Sequence, residues 1–181
     1  MKTITQLFST AAALTLTLAS CTYANRAPQF ELLDDRGQIW ALRDQHGGTI
    51  LLFGYTHCDD TCPLMLAKLA SALKQSRSSA APIGIAFVTV DPQRDSPRVL
   101  HGYLSKFGPQ FVGLTGTPTQ IGSVERTYHV WAQKLPAKNG GYDYDEAHSS
   151  TMFFINRDGN IVALHDASDS VGDLARGMRQ L

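Results

Sequence analysis

Cys58 and Cys62 stand four residues apart in the stretch His57-Cys58-Asp59-Asp60-Thr61-Cys62-Pro63. Two thiols at that spacing, near the start of a helix, lie on one face with their side-chain bases roughly 5–6 Å apart. That separation admits either a shared soft metal ion or a disulfide. A helix amino terminus also favours the anion of a thiol over its neutral form, so both cysteines are expected to be thiolates. The remaining cysteine, Cys21, stands apart from this pair.

The elements that must position the pair can be read around it. Ile50 to Phe53 is an unbroken apolar run, the pattern of a strand buried on both faces. Gly54 is expected to let the chain turn, and Pro63 suits the first turn of a helix carrying Leu64, Leu66, Leu69, Ala70 and Leu73. The thiols therefore sit where a buried strand hands over to a helix, at the carboxyl end of the strands, where open α/β sheets bind ligands.

Upstream, Phe30 and Leu32, the turn Asp35 to Gly37, and Ile39-Trp40 read as a hairpin capping one end of the domain. Downstream, Ile83 to Val90 is a second strand, and Pro97 starts a helix with Leu100 and Leu104. Phe111 to Leu114 is a short strand, and Thr117-Pro118 opens a helix through Ile121, Val124 and Tyr128, extending toward Trp131. Gln133 to Glu146 has little apolar pattern and reads as an irregular loop running into His148. Met152 to Ile155 and Ile161 to Leu164 form a second hairpin, and a closing helix carries Val171, Leu174 and Met178. The order defines an α/β fold with a central mixed sheet flanked by helices, the thioredoxin-like layout with an N-terminal β-hairpin extension. In that layout the loop before the last strand pair faces the active-site helix, and here it delivers His148. Two thiolates and one imidazole make a three-donor site suited to copper: sulfur holds Cu(I), and nitrogen makes Cu(II) tolerable.

A chain of 181 residues with 43% hydrophobic content suffices for one domain with a real core. Formal net charge is zero, which argues against a nucleic-acid footprint and against attraction to anionic lipid. Residues 1–20 carry Lys2, a modestly apolar stretch and small residues at the end, too short for a membrane span and fitting a secretory signal. Leu18-Ala19-Ser20-Cys21 resembles a bacterial lipoprotein cleavage box, which would make Cys21 the lipid-carrying first residue. Residues 22–27 are a short tether, and residues 28–181 the folded domain. That places the domain on the periplasmic side of a bacterial cell membrane, lipid-anchored, or else soluble in the periplasm. An oxidising compartment would close an unprotected thiol pair, so a functional dithiol there needs a thiol reductant.

Tyr55-Thr56-His57-Cys58-Asp59-Asp60-Thr61-Cys62-Pro63, Val90-Asp91-Pro92-Gln93-Arg94-Asp95, and Tyr142-Asp143-Tyr144 leading to His148-Ser149 resemble the three signature blocks of the Sco/SenC family. The resemblance covers residues 28–181, with the blocks in matching order and spacing. It implies a thioredoxin-like copper protein that helps assemble the dinuclear copper centre of cytochrome c oxidase. By that resemblance Cys58, Cys62 and His148 correspond to the copper ligands. The implied role is a metallochaperone whose partner is a copper-accepting oxidase subunit or another extracytoplasmic copper protein. The family usually has Asp immediately before the His, where this chain has Ala147, with Glu146 one step further back.

The enzymatic alternative is a thiol–disulfide oxidoreductase that reduces client cysteines before metal loading, with Cys58 attacking and Cys62 resolving. Asp91, Arg94 and Asp95 read as an ion-pair network bracing a loop rather than as metal ligands. His57 is a fallback ligand only, Met65 belongs to the core, and His46, His101, His129 and His165 read as surface residues.

Overall fold

The structure, a computed structural model, describes residues 25–76, 82–136 and 144–181. The expected leader, Cys21, residues 22–24 of the tether, and Tyr142 and Asp143 lie outside the described residues. The chain runs β1 (Glu31–Asp34), β2 (Ile39–Ala41), β3 (Thr49–Gly54), α1 (Thr61–Ser76), β4 (Gly84–Thr89), α2 (Pro97–Leu104) and β5 (Phe111–Thr115). It continues through α3 (Pro118–Thr127), β6 (Ala132–Pro136), β7 (Tyr144–His148), β8 (Met152–Ile155), β9 (Ile161–His165) and α4 (Val171–Met178). Among the described residues no helix is long and apolar enough to cross a membrane.

β3 is buried at every position because it is central in a sheet covered on both sides. Its side chains alternate between two core clusters. Ile50 and Leu52 join Phe87, Leu100, Phe154 and Leu174 under α1, α2 and α4, whereas Leu51 and Phe53 join Val88, Ile121, Val124 and Tyr128 under α3. α1 presents Cys62, Met65, Leu66, Leu69 and Ala72 inward, the three- and four-residue spacing of an amphipathic helix. Burying each large apolar side chain contributes about 1.5–3 kcal/mol, and this places Met65 in the core, as its position implied. Capping is local: Ser96 receives Val99 N, and Thr117 with Gln120 and Ser170 with Asp173 form reciprocal capping boxes.

The sheet runs β2-β1-β5-β4-β3-β8-β9. β3, β4 and β5 are parallel, while β8 runs antiparallel to β3 and β1 antiparallel to β5, which makes the sheet mixed as expected. Two elements differ from expectation, while the first hairpin caps one end of the sheet as read from the sequence: β1 pairs with β5 through Leu33–Thr115 and Asp34–Leu114, covering a strand edge that would otherwise expose unpaired backbone. Its turn is as expected, with Gly37 at φ +80° donating to Asp34 O, and Asp34 Oδ1 accepting from Gln38 N at 2.7 Å. α3 stops at Thr127, because His129 adopts φ +54° and Val130 N turns back to Glu125 O, leaving Trp131 outside the helix and 54% exposed.

The second difference bears on function. The stretch read as an irregular loop contains β6 and β7, an antiparallel ribbon separate from the main sheet, with Ala132 opposite His148 and Pro136 opposite Tyr144. His148 is thus the last residue of a strand rather than part of a loop.

Candidate functional site

Thr56 to Asp60 carry the chain from the carboxyl end of β3 into α1, and Cys58 and Cys62 lie on either side of the helix start. Cys62, the second residue of the helix, is only 2% exposed, whereas Cys58 is half-buried. Cys62 N approaches Cys58 Sγ at 3.4 Å, a weak N–H···S contact that turns Cys58 over the helix amino terminus.

Gly54 was expected to turn the chain; instead it ends β3 in extended conformation and is needed for close approach. A Cβ there would lie 2.7 Å from the Phe87 ring and 2.9 Å from Cys62 Sγ, so the missing side chain is the space the inner thiol occupies. The expectation of two equivalent thiolates is also corrected. The Cys62 thiol donating to Cys58, helped by backbone N–H groups and the nearby His148, brings the Cys58 pKa down to about 5 against the opposing effect of burial. Cys62 moves up: it is the donor in that hydrogen bond, it is buried, and it faces the Cys58 charge. Cys58 is the resting thiolate and Cys62 the thiol beneath it.

The ribbon brings His148 to the pair, with Nε2 3.6 Å from Cys62 Sγ. Its Nδ1 lies 2.9 Å from Ser149 O, and since a carbonyl only accepts, Nδ1 carries a proton and Nε2 is the ring nitrogen turned to the sulfur. Tyr55 supports the ring edge-on, at 6.0 Å between centroids. A cleft of about 450 Å³ opens over the site, lined by Tyr55, Cys58, Asp59, Leu135, Glu146 and His148 among others. A larger cavity of about 710 Å³ lies at the amino ends of β3, β4 and β5, away from both thiols. The three donors come within reach of one another, yet among the described residues no three His, Cys, Asp or Glu side chains already form a closed metal cage.

Asp91, Arg94 and Asp95 do brace a loop, and they also hold the ribbon. Arg94 pairs with Asp91, donates to Tyr144 O at 3.0 Å and stacks its guanidinium 3.9 Å from the Tyr144 ring centroid. The Tyr144 hydroxyl donates to Asp91 Oδ1 at 2.7 Å. Asp95, fully buried, accepts from Thr56 N at 3.0 Å, Thr56 Oγ1 at 2.5 Å and Thr89 Oγ1 at 2.6 Å, which ties the thiol loop to β4. Burial nevertheless pushes the Asp95 pKa up.

His57 Nδ1 lies 3.1 Å from Thr56 Oγ1 and 3.8 Å from Asp95 Oδ1, so its ring is directed to this network. His101 contacts Asp35, and His46 lines the cavity at the amino ends of β3, β4 and β5. His165, read as a surface residue, is instead packed on Phe154 at 4.5 Å and bonded to Asp169 at 2.9 Å. Sequence reasoning assigned no role to Tyr144 or to Tyr103, whose hydroxyl is buried without a hydrogen-bond partner and whose pKa is raised by burial and the nearby Cys62. The two-residue alternation Tyr144, Glu146, His148 was the available signal for the first of these.

A helix-flanked mixed sheet with a thiol pair at its first βα junction, met by an imidazole from a separate ribbon, defines a thioredoxin-like protein. The SCO1/SenC family model matches residues 21–181, and the chain belongs to that family. The mitochondrial SCO1 homolog 1 of Arabidopsis thaliana is 36% identical over 151 residues, covering 82% of this chain and 45% of that protein. The chain spans about half the length of the curated relatives it matches. Arabidopsis thaliana ScoI with copper bound superposes with a TM-score of 0.78 at 34% identity, over 86% of this chain and 99% of that one. For Bradyrhizobium japonicum ScoI with copper bound the values are 0.75, 32%, 86% and 98%.

Proposed function

We propose that this protein is a metallochaperone that binds copper through Cys58, Cys62 and His148 and delivers it, by ligand exchange, to the dinuclear copper site of cytochrome c oxidase. One observation carries the reading: His148 Nε2, 86 residues along the chain, lies 3.6 Å from Cys62 Sγ in a chain whose structural relatives include copper-bound Sco proteins. Two sulfurs satisfy Cu(I), and the imidazole extends tolerance to Cu(II). Copper entering the cleft meets the Cys58 thiolate first; Cys62 loses its proton on ligation, and His148 Nε2 closes the set.

Both thiols must be reduced to load, so the partners are a thiol reductant and a copper-accepting oxidase subunit or another extracytoplasmic copper protein. The folded domain, residues 28–181, is placed on the periplasmic side of a bacterial cell membrane, held by lipid at Cys21, with a soluble periplasmic form as the alternative. The leader and the box ending at Cys21 support this placement.

The test is metal retained per reduced chain, and copper transferred to an apo oxidase subunit, for wild type, Cys58→Ser, Cys62→Ser and His148→Ala. Each substitution is expected to reduce retention, and unchanged retention after loss of either cysteine eliminates the reading.

The inequality of the two thiols supports a second activity, thiol–disulfide exchange, in which the Cys58 thiolate attacks a client disulfide and Cys62 resolves the mixed disulfide. Client-disulfide reduction by copper-free His148→Ala distinguishes the two readings: turnover that survives supports the oxidoreductase.

A further inference from the structure

We propose that Glu146 supplies a carboxylate oxygen to copper in the Cu(II) state, a donor beyond the two sulfurs and one imidazole. The inference rests on the copper reading above and concerns what else that site holds.

Successive side chains of a strand point to opposite faces, so in β7 Glu146 shares the face of His148. Glu146 and His148 are spaced by about 6.7 Å along the strand, and both line the cleft above Cys58. Glu146 is only 8% exposed, and its Oε1 is buried with no hydrogen-bond partner. A buried carboxylate oxygen without a donor is costly, and native proteins rarely leave one unless something binds there.

Lys134 and Arg94 both favour the Glu146 charge through space, yet neither donates a hydrogen bond to Oε1. Lys134 lies directly opposite Glu146 in the ribbon, but its Nζ donates to Gln93 Oε1 at 2.8 Å and sits 4.0 Å from the Tyr144 ring centroid. A hard oxygen donor is thus held in the wall of the cleft that Cys58 and His148 also line. Cu(I) is content with few, soft ligands, whereas Cu(II) favours four donors in a tetragonal set that includes nitrogen and oxygen. Rotation of the flexible Glu146 side chain toward the cleft completes that set. Glu146 therefore engages Cu(II) and stays off Cu(I).

The full chain, reduced, is titrated separately with Cu(I) and Cu(II) as wild type, Glu146→Gln, Glu146→Asp and His148→Ala. Glu146→Gln is expected to weaken Cu(II) binding about tenfold or more, to shift the thiolate-to-Cu(II) absorption band and the electron paramagnetic resonance hyperfine splitting, and to leave Cu(I) binding unchanged. Glu146→Asp, which keeps a carboxylate, recovers part of the wild-type spectrum. Copper-free Glu146→Gln is expected to melt higher than wild type, because it removes a buried charge that lacks a donor.

Identical Cu(II) spectra and affinities in wild type and Glu146→Gln overturn the proposal. Equal weakening for both oxidation states overturns it too, since that marks a structural role, and a lower copper-free melting temperature shows that the protein itself already holds the oxygen. Wild type that binds no copper, or His148→Ala without effect, overturns the ligand set proposed above and Glu146 with it.

Discussion

Tyr144→Phe isolates the clamp that holds the ribbon over the thiols. The change deletes one hydroxyl, which donates to Asp91 Oδ1 at 2.7 Å, and leaves the ring over which the Arg94 guanidinium stacks at 3.9 Å. Asp91 is fully buried and accepts as a carboxylate, so the lost bond belongs to the charged class worth about 1.5–3 kcal/mol. Tyr144 is itself half-buried, and water can replace part of the bond, so the lower end applies, about 1.5 kcal/mol. The loss falls on docking of the ribbon, because β6 and β7 pair only with each other and lie outside the seven-stranded sheet. At 1.4 kcal/mol per tenfold, docking weakens about tenfold. Amide exchange in the ladder from Ala132–His148 to Pro136–Tyr144 should therefore quicken by about that factor, while amides of β3 and β4 keep their protection. Copper retention should fall in the same proportion, since His148 travels with the ribbon. Ladder exchange and copper retention both unchanged would refute the idea that the hydroxyl positions His148.

Three further outcomes follow from the same geometry. Alkylation of the reduced, copper-free chain should fall almost entirely on Cys58 and be half-maximal near pH 5, because a depressed pKa makes thiolate available at every pH above it; rates that climb only between pH 8 and 9 in a mass-resolved iodoacetamide assay would contradict this. Gly54→Ala places a methyl group 2.7 Å from Phe87 and 2.9 Å from Cys62 Sγ, so urea unfolding should show a loss of about 1–3 kcal/mol from overpacking. The same substitution should disturb the copper–thiolate absorption band. Asp95→Ala strips the acceptor from Thr89 Oγ1 and from two donors of Thr56, at about 2–4 kcal/mol in chemical denaturation once water is allowed to reach Thr56.

Much of this was legible along the chain because the determinants are local. The apolar run Ile50–Phe53 is continuous since β3 is covered on both faces, and Thr117 with Gln120 announces α3 through hydrogen bonds made within one turn. The ribbon was not legible, for a physical reason. β6 carries Gln133 and Lys134, β7 carries Tyr144 and Glu146, and what fastens them is Arg94 and Asp91, some fifty residues earlier. A strand pair held by a guanidinium and a buried carboxylate leaves no apolar periodicity to read. His165 was misread likewise, as its burial depends on Phe154 across the hairpin.

By itself the sequence determined the layered fold, the thiol pair at the βα junction and the position of His148 just ahead of the last hairpin, because strand runs, caps and motif spacing are properties of short stretches. Tertiary structure alone decided that the two thiols differ, since Cys62 is carried inward against Phe87 and Gly54 while Cys58 stays at the cleft. It also decided that Glu146 shares the face of His148 without a hydrogen-bond donor for Oε1. Burial and the direction of a side chain depend on what packs from elsewhere in the chain, and those two quantities set the pKa and the ligand reach of every group in the site.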